Sequence, residues 1–241
     1  MNATTKTTAL VTGANKGLGR ETVRRLAELG WRVFLGARDT ERGQAAAAEF
    51  TAAGHDVCFV PLDVTSAASI AAAAKSVAEQ TPHLDVLINN AGIGGPWVGP
   101  ADTVAADVRE VFETNVFGPI EVTHAFLPLL RASAQPRIVM VSSGMGSLAI
   151  TSDPARLEST MPGLGYTASK TALNMITSQY ARALPGIQVN AADPGYTATD
   201  LNGNSGHQTV TEGTDAIVRL ATLGPDGPTG GYFDREGPLP W

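Results

Sequence analysis

The sequence predicts an α/β fold with one doubly wound parallel sheet and helices on both faces. Three observations predict it. Apolar runs of strand length alternate along the chain with amphipathic helical segments. A glycine-rich turn joins the first strand to the first helix. Polar and glycine residues follow the strands, at the edge where open parallel sheets bind ligands. Together these features predict a Rossmann-like single domain.

Length and composition set the limits of the prediction. The chain has 241 residues, of which 43% are hydrophobic and 17% charged, enough for one domain over 1–241 with no dividing linker. A net charge of −6 without a block of Lys or Arg argues against nucleic acid or an anionic membrane surface as partner. No apolar run reaches the roughly 18 residues that span a bilayer. Residues 1–8 lack the apolar core of a secretory signal.

Cysteine and histidine usage points to a protein without a metal centre. Cys58, the single cysteine, lies in an apolar strand-like run. We interpret it as a core residue in a reducing compartment, which predicts a cytoplasmic location. The four histidines have no metal-ligand spacing, so no metal site is predicted. They are His55, His83, His124 and His207.

The glycine-rich turn lies between an apolar strand at 8–11 and an amphipathic helix at 20–29, which Gly30 ends. Its glycines are Gly13, Gly17 and Gly19, a Gly-x-x-x-Gly-x-Gly spacing. Glycines let the backbone approach a ligand, and a helix start offers free N–H groups to a phosphate. The motif by itself leaves a plain strand-to-helix turn open as an alternative.

The second strand, 31–36, leads to Arg38 rather than to the acidic residue that usually binds the ribose hydroxyls of NAD. A guanidinium can bind a 2′-phosphate through two N–H groups, and Lys16 in the glycine turn adds positive charge. These residues favour NADP(H) over NAD(H). The alternative is that Arg38 is a solvated loop residue and Asp39 binds the ribose. Asp39 is more typical of the N-cap of the next helix, 41–53.

The third strand, 57–62, ends at Asp63 and Val64. Asp63 at this edge can accept a hydrogen bond from an adenine amino group. It can equally cap the next helix, 67–80, and the sequence leaves both possibilities open.

The fourth strand, 85–88, is almost wholly apolar, as a central parallel strand should be. It ends in Asn89 and Asn90, for which we favour a structural role in bonding backbone groups of neighbouring strands. The small residues Ala91 and Gly92 leave room for a ligand beside them.

The rest of the chain continues the same alternation. The predicted elements are helices at 105–113, 115–130 and 166–183, strands at 137–141, 187–192 and 231–233, and a last helix from 211 or 212 to 220 or 223. Residues 149–165 lack periodicity and are predicted to be a loop with one helical turn at most. Residues 200–211, rich in glycine and asparagine, are predicted to be a mobile loop beside the substrate.

Tyr166 and Lys170 are four residues apart, which places both on one face of the predicted long helix. An ammonium near a phenol stabilises the phenolate, so we expect the pKa of Tyr166 to fall from about 10 toward neutrality, where a general acid or base works best. The pair alone is weak evidence. Ser143 strengthens it, because its hydroxyl follows a strand and falls on the same edge of the sheet.

At this point the sequence resembles the short-chain dehydrogenase/reductase family over essentially its whole length. The resemblance is carried by Thr12-Gly13-x-x-x-Gly17-x-Gly19, Asn89-Asn90-Ala91-Gly92, Asn115, Val141-Ser142-Ser143, Tyr166-x-x-x-Lys170, Pro194-Gly195 and Thr199. Asn15-Lys16 and Ala37-Arg38-Asp39 are similar to the NADPH-dependent carbonyl reductase branch.

The resemblance implies a catalytic tetrad. Tyr166 is then the acid/base, Lys170 holds the nicotinamide ribose and lowers the tyrosine pKa, Ser143 orients the carbonyl, and Asn115 bends its helix to hold a relay water. Thr199 and the backbone of Thr197 contact the nicotinamide carboxamide. The predicted cofactor-binding residues are Gly13, Asn15, Lys16, Gly17, Leu18, Gly19, Arg38, Asp63, Val64, Asn90, Ala91, Gly92, Tyr166, Lys170, Pro194, Gly195, Thr197 and Thr199.

One departure from the family concerns the distance between the serine and the tyrosine. Ser143 and Tyr166 are 23 positions apart, considerably more than in many members and less than in carbonyl reductases with long insertions. This predicts that residues 149–165 form an extra loop near the substrate pocket. The resemblance implies a homodimer or homotetramer, and the extra loop bears on the helix faces through which members form tetramers.

The function predicted from these residues is NADPH-dependent reduction of a ketone or aldehyde to an alcohol, or the reverse oxidation. No charged cluster is evident along 94–98, 149–163 or 201–208, so a neutral, fairly apolar small molecule is expected as substrate. One alternative is an epimerase or dehydratase on the same fold that recycles bound NAD. Another is a binding protein that senses NADP(H) without catalysis.

Overall fold

A computed structural model describes residues 6–241. The predictions that concern residues 1–5 lie outside this range. Seven strands form one sheet in the order β3-β2-β1-β4-β5-β6-β7, and every neighbouring pair is parallel. The strands are β1 Thr8–Val11, β2 Arg32–Ala37, β3 Val57–Pro61, β4 Val86–Asn89, β5 Arg137–Val141, β6 Gln188–Ala192 and β7 Tyr232–Phe233.

The helices are named in chain order. They are α1 Gly17–Glu28, α2 Thr40–Ala52, α3 Ala67–Ala78, α4 Ala105–Phe112, α5 Gly118–Arg131, α6 Leu148–Thr151, α7 Gly165–Ala183, α8 Val210–Gly213 and α9 Asp215–Ala221. None of the helices described over 6–241 is long and apolar enough to cross a membrane.

Helices cover both faces of the sheet, because the alternating side chains of each strand need an apolar layer on either side. On one face, Leu26 of α1 and Ile217 of α9 join one buried cluster. On the other, Ile70 of α3, Phe126 of α5 and Leu173 of α7 join a second. The predicted Rossmann-like fold with helices on both faces is therefore confirmed.

The strand order reverses direction at β1, which has β2 on one side and β4 on the other. Leu10 pairs with Phe34 of β2 and with Leu87 of β4, so the chain leaves β1 and β4 toward opposite halves of the sheet. Such a reversal opens a crevice at the carboxyl ends of the strands. The glycine turn after β1 and the Asn90–Gly92 segment after β4 meet at this crevice.

The predicted boundaries differ most at the glycine turn. Helix α1 begins at Gly17 rather than at residue 20, so the last two glycines of the motif lie in its first turn. At its other end, the N–H of Trp31 bonds back to the carbonyl of Leu26. Strand β2 therefore starts one residue later than predicted, at Arg32.

The two helices predicted around Asn115 form one continuous element in the structure. A π-helical turn, Glu113–Phe117, connects α4 directly to α5. The predicted last helix is instead divided at Thr214 into α8 and α9. Gly213, at the end of α8, packs so tightly that a Cβ there would lie 2.3 Å from the Thr197 hydroxyl oxygen.

Both segments predicted as loops are bonded to the rest of the molecule. In 149–165, the N–H of Ala149 bonds to the carbonyl of Trp241 at 3.3 Å, and the preceding Ser147 caps α6 and donates to the carbonyl of Pro240 at 2.8 Å. A 3₁₀ turn follows at Leu157–Thr160. In 200–211, the hydroxyl of Thr211 donates to the carboxylate of Glu21 in α1 at 2.8 Å. The mobility of this second segment stays a prediction.

Candidate active site

Two cavities meet at the carboxyl edge of the sheet. The first, of about 380 Å³, lies over the glycine turn. The second, of about 450 Å³, lies beside Ser143 and Tyr166. The two cavities are adjacent, because five residues line both of them: Leu18, Asn90, Gly92, Thr199 and Leu201.

The glycine turn has the geometry of a phosphate site. Gly13 has φ +62°, and a Cβ there would lie 2.9 Å from the Cα of Ala91. A Cβ on Gly19 would lie 2.5 Å from the Asn90 amide nitrogen. Lys16, at the N-cap of α1, makes no side-chain capping bond, which leaves first-turn N–H groups for a ligand. The residues present therefore fit a dinucleotide diphosphate.

Asn90 fastens β4 to the glycine turn. Its side-chain N–H donates to the carbonyl of Thr12 at 2.8 Å, and its backbone N–H donates to the Thr12 hydroxyl at 3.0 Å. The same hydroxyl accepts the N–H of Ala91 at 3.0 Å. Asn89 is buried and bonds to Thr123 at 3.1 Å. These contacts agree with the structural role expected for the two asparagines, and they add Thr12 as a residue whose role sequence reasoning missed.

Two cations, Arg38 and Lys16, line the first cavity, and a third, Arg42, lies close enough to act on Asp200. Arg38 is exposed and lines the cavity. Lys16 is paired with Asp200, its Nζ 2.8 Å from Oδ2. The hydrogen bond and charge of Lys16, and then the charge of Arg42, hold the pKa of Asp200 below its usual value. Asp39 caps α2 by accepting the N–H of Arg42 at 3.0 Å, as expected.

Sequence reasoning missed Arg42 and Asp200. Arg42 lies in the first turn of α2, four positions after Arg38, and this nearness in the chain could have identified it. Asp200 gave no local signal, because its partner Lys16 is 184 residues away in the chain.

Two roles were predicted for Asp63, capping of α3 and binding of an adenine amino group. The capping role is wrong. Ser66 is the N-cap and accepts the N–H of Ser69. The Asp63 carboxylate instead accepts the N–H of Thr65 at 2.9 Å and its hydroxyl at 2.7 Å. These bonds, with a smaller contribution from the charge of Arg38, lower the pKa of Asp63. Asp63 and Val64 both line the first cavity.

Ser143, Tyr166 and Lys170 converge on the second cavity. Tyr166 lies in the first turn of α7 and Lys170 one turn later. Lys170 Nζ donates to the carbonyl of Val141 at 2.8 Å and lies 5.6 Å from the centre of the Tyr166 ring. The Ser142 hydroxyl is used by Asn174, to which it donates at 2.5 Å. Of the two serines, Ser143 is thus the one beside the phenol.

Asn115 lies in the π-helical turn and is buried. Its side chain bonds to both backbone groups of Ile93, each at 2.9 Å, and donates to the Ser169 hydroxyl at 3.0 Å. A Cβ on Gly92 would lie 3.3 Å from its Oδ1 and 3.6 Å from Lys170 Nζ. Asn115 therefore stands behind Gly92, next to the lysine, and the helix is distorted at this residue as the resemblance implied.

The expected direction of the tyrosine pKa is wrong for this structure. Burial raises the pKa of Tyr166 to about 12, while a hydrogen bond from Ser143 lowers it and the charge of Asp193 raises it. Burial also lowers the pKa of Lys170 to about 8. The Lys170 ammonium donates to the carbonyl of Val141, and burial of the phenol outweighs the hydrogen bond that would lower its pKa. Tyr166 is thus a protonated phenol at neutral pH.

The turn after β6 forms another wall of the second cavity. Gly195 has φ +68°, and its N–H donates to Asp193 at 2.9 Å. The Thr197 hydroxyl donates to the carbonyl of Pro194 at 2.9 Å. Thr199 stands between this turn and the glycine turn, since a Cβ on Gly17 would lie 3.7 Å from its methyl group.

The structure thus gathers nearly all of the predicted site residues. The first cavity is lined by Gly13, Asn15, Lys16, Gly17, Leu18, Gly19, Arg38, Asp63, Val64, Asn90, Ala91, Gly92 and Thr199. The second is lined by Ser143, Tyr166, Lys170, Pro194, Gly195, Thr197 and Thr199. Asn115 lies behind the wall. Asp193, Glu158 and Trp97 also line the second cavity and were missed, although Asp193 carried the signal of a carboxylate at a strand end.

Comparisons with known proteins agree with this geometry. A family model described as short chain dehydrogenase matches residues 7–209. The chain is 40% identical over 234 residues to the short-chain dehydrogenase anuI of Penicillium roqueforti, covering 93% of this chain and 92% of that one. It is 35% identical to (+)-neomenthol dehydrogenase of Arabidopsis thaliana, covering 95% and 96%.

Among solved structures, an NADPH-bound carbonyl reductase from chicken fatty liver superimposes with a TM-score of 0.87 at 32% identity. The match covers 98% of this chain and 99% of that one. With matching sequence, sheet and site geometry along almost the whole chain, this protein belongs to the short-chain dehydrogenase/reductase family of oxidoreductases.

Proposed function

We propose that the protein is an NADP(H)-dependent reductase that converts a ketone or aldehyde to an alcohol, with Tyr166 as the general acid. The observation that carries the proposal is that Ser143, Tyr166 and Lys170 all line the second cavity. This cavity shares lining residues with the first cavity, over the glycine turn. A hydroxyl, a phenol and an ammonium then surround the space where a carbonyl group can lie against a cofactor.

The first cavity offers the charges that a phosphorylated dinucleotide requires. The first turn of α1 suits the diphosphate, while Arg38 and Lys16, which line the cavity, suit the 2′-phosphate. A solved carbonyl reductase that resembles this chain is described as NADPH-bound, which supports the same choice here. In the proposed complex, Thr197 and Thr199 lie beside the nicotinamide, and the bound NADPH supplies a hydride to the carbonyl carbon.

The protein's own residues handle the carbonyl oxygen. As the carbon gains a hydride, the oxygen gains electron density and takes the proton of the Tyr166 phenol, so the product is a neutral alcohol. The Ser143 hydroxyl donates a hydrogen bond to the same oxygen. The phenolate that remains is stabilised by the Lys170 ammonium until a proton from solvent restores the phenol. A tyrosine protonated at neutral pH is ready for this direction of reaction.

The lining of the second cavity favours a bulky, apolar substrate. Large apolar and aromatic side chains make up much of its wall: Trp97, Met145, Leu157, Met161, Tyr196 and Leu201. Glu158 also lines it, so this segment is less neutral than the sequence suggested, but its carboxylate is paired with Arg156 at 3.5 Å. Because Glu158 already has Arg156 as its ion-pair partner, the cavity does not need a charged substrate to balance this carboxylate.

The proposal is tested by following NADPH consumption with a panel of carbonyl compounds. We expect turnover of cyclic apolar ketones and little turnover of keto acids, whose carboxylates would meet Glu158 and Asp193. A protein that binds NADPH and consumes it with none of the carbonyl compounds would contradict the proposal and favour a sensor. A tightly co-purifying cofactor, recycled within one turnover, would favour an epimerase or dehydratase.

The ion pair between Lys16 and Asp200 makes a separate prediction. Because Asp200 competes with a phosphate for Lys16, Asp200→Asn should tighten NADPH binding about two- to fivefold, the modest effect typical of exposed pairs. Titration of bound-cofactor fluorescence measures this change. NADH, which lacks the 2′-phosphate, is the control ligand, and parallel changes in both affinities would exclude competition at Lys16.

A further inference from the structure

We propose that Asn174 is a positioning residue for carbonyl reduction. It holds the turn that contains Ser143 against helix α7 and thereby sets the position of the serine relative to Tyr166. The inference rests on the proposed function, because it concerns how two donors reach the same substrate oxygen. Asn174 itself lines neither cavity, so it acts through other residues.

The two proposed hydrogen-bond donors lie on different parts of the fold. Tyr166 lies in the first turn of α7, whereas Ser143 lies in the turn that follows β5. Both hydroxyls have to meet one carbonyl oxygen, and such groups must be held within about 0.5 Å of the productive geometry. The reaction therefore needs contacts that fix the Ser143 turn against α7.

Asn174 continues a line of residues on one face of α7. It follows Tyr166 and Lys170 at four-residue intervals, so each of the three lies one helical turn after the last. Asn174 is 3% exposed. Asparagine is a poor residue for the middle of a helix, and a buried amide is costly unless it is hydrogen bonded. Its burial in α7 therefore requires partners at both ends of the amide.

Both ends of the Asn174 amide bond to the segment that contains Ser143. The Nδ2 group donates to the carbonyl of Gly146 at 3.1 Å, and Oδ1 accepts the hydroxyl of Ser142 at 2.5 Å. Ser142 directly precedes Ser143, and Gly146 ends the 3₁₀ turn that follows it. One side chain of α7 therefore holds the serine's segment at a point before the serine and at a point after it.

The turn also packs directly on the helix backbone. A Cβ on Gly146 would lie 2.7 Å from the carbonyl carbon of Lys170, so this position has no room for a side chain. Within the turn, the N–H of Gly146 donates to the carbonyl of Ser143 at 2.7 Å, and the N–H of Met145 donates to the Ser143 hydroxyl at 3.3 Å. The serine is thus bonded to its turn, and Asn174 bonds the turn to the helix that carries the phenol.

Double-mutant kinetics test whether Asn174 acts through Ser143. Asn174→Ala should lower kcat for NADPH-dependent reduction by about 10- to 100-fold, the scale of a misplaced reacting group, and leave NADPH affinity within about twofold. In the Ser143→Ala background the same exchange should change kcat by less than about twofold, because no hydroxyl remains to be misplaced. An equal fall in both backgrounds would overturn the proposal, since Asn174 would then support the whole helix rather than the serine.

Asn190→Ala is the matched control. Asn190 is a buried amide of the same kind in β6: it donates to the carbonyl of Pro228 at 2.7 Å, accepts the N–H of Gly231 at 3.0 Å and lines neither cavity. Both asparagine variants should lower the unfolding temperature, but only Asn174→Ala should lower kcat when assayed well below that temperature. A fall of the same size in Asn190→Ala would attribute the effect to lost stability and overturn the positioning role.

Ser142→Ala keeps the test decisive if Asn174→Ala does not fold. It removes one of the two bonds without altering α7, so kcat should fall by a smaller factor, about three- to tenfold, and only while Ser143 is present. In that case an unchanged kcat in Ser142→Ala would overturn the proposal.

Amide hydrogen exchange separates this inference from the proposed function. In the protein without cofactor or substrate, Asn174→Ala should speed exchange of the Met145 and Gly146 N–H groups by about tenfold or more, while the N–H groups of β5 keep their rates. If the unaltered protein reduces no carbonyl compound, the proposed function fails, and the exchange measurement still decides whether Asn174 holds the Ser143 turn. Unchanged exchange at both N–H groups would show that it does not.

Discussion

Tyr166→Phe is expected to lower kcat for carbonyl reduction by about 10²- to 10⁴-fold, the range typical of a lost general acid. The exchange removes the phenol proton that the carbonyl oxygen takes up, but it keeps the aromatic ring that packs 5.8 Å from the ring of Trp97. NADPH affinity should therefore stay within about twofold of its original value, since no cofactor contact proposed for the phosphates is altered. Steady-state kinetics and a binding titration measure the two quantities separately.

Tyr180→Phe is the matched control for this prediction. Tyr180 lies near the other end of the same helix α7, packs on the second apolar cluster and does not line the second cavity. Removal of the Tyr180 hydroxyl should leave kcat for carbonyl reduction nearly unchanged. Full activity in Tyr166→Phe would exclude the proton role, and an equal fall in both variants would indicate damage to the helix rather than to the chemistry.

Arg38→Asp is expected to shift the preference from NADPH toward NADH by about 10- to 100-fold in kcat/KM. This is the scale of losing a hydrogen-bonded charge pair, about 1.5–3 kcal/mol. Arg38 is exposed at the cavity edge and belongs to no recorded ion pair over residues 6–241, so its guanidinium is available to a 2′-phosphate. A carboxylate in its place repels the phosphate and can accept hydrogen bonds from ribose hydroxyls.

The shift should be incomplete, because Lys16 still lines the cavity and Arg42 still lies close enough to act on Asp200. Arg131→Asp makes the same charge change at the exposed end of α5 and should leave the cofactor preference as it was. Comparing kcat/KM for the two cofactors in each variant measures the effect. If Arg38→Asp and Arg131→Asp retain the same ratio as the unaltered protein, Arg38 has no part in recognising the phosphate.

Sequence reasoning succeeded where the signal is local. The apolar runs of β1 to β6 and the strand-to-helix alternation arise from side chains a few residues apart, so periodicity finds them. Boundaries were less accurate where a backbone bond closes across a turn. The N–H of Trp31 bonds back into α1, and Gly17 already belongs to that helix. The π-helical turn at Asn115 joined two predicted helices, because its bonding depends on Ile93, 22 residues earlier.

The site residues were predictable for a related reason. Parallel strands place all of their carboxyl ends at one edge, so chain order alone gathers the glycine turn, Ser143 and the Pro194–Gly195 turn. Charge pairs between distant segments were not predictable in this way. Lys16 meets Asp200 only because the chain returns to the glycine turn after β6, and Asp193 lies beside Gly144 because β5 and β6 are neighbouring strands.

By itself, the sequence determined the order of strands and helices, the presence of a phosphate-binding turn, and the chemical types of side chain at the edge of the sheet. Those properties depend on short-range periodicity, backbone freedom at glycine and the direction of parallel strands. The tertiary structure alone decided the protonation of Tyr166 and Lys170 and the partners of Lys16 and Asp193. A pKa and an ion pair depend on burial and on charges brought together from distant parts of the chain. The Tyr166 phenol, expected to have a lowered pKa, therefore has a raised one and keeps its proton at neutral pH.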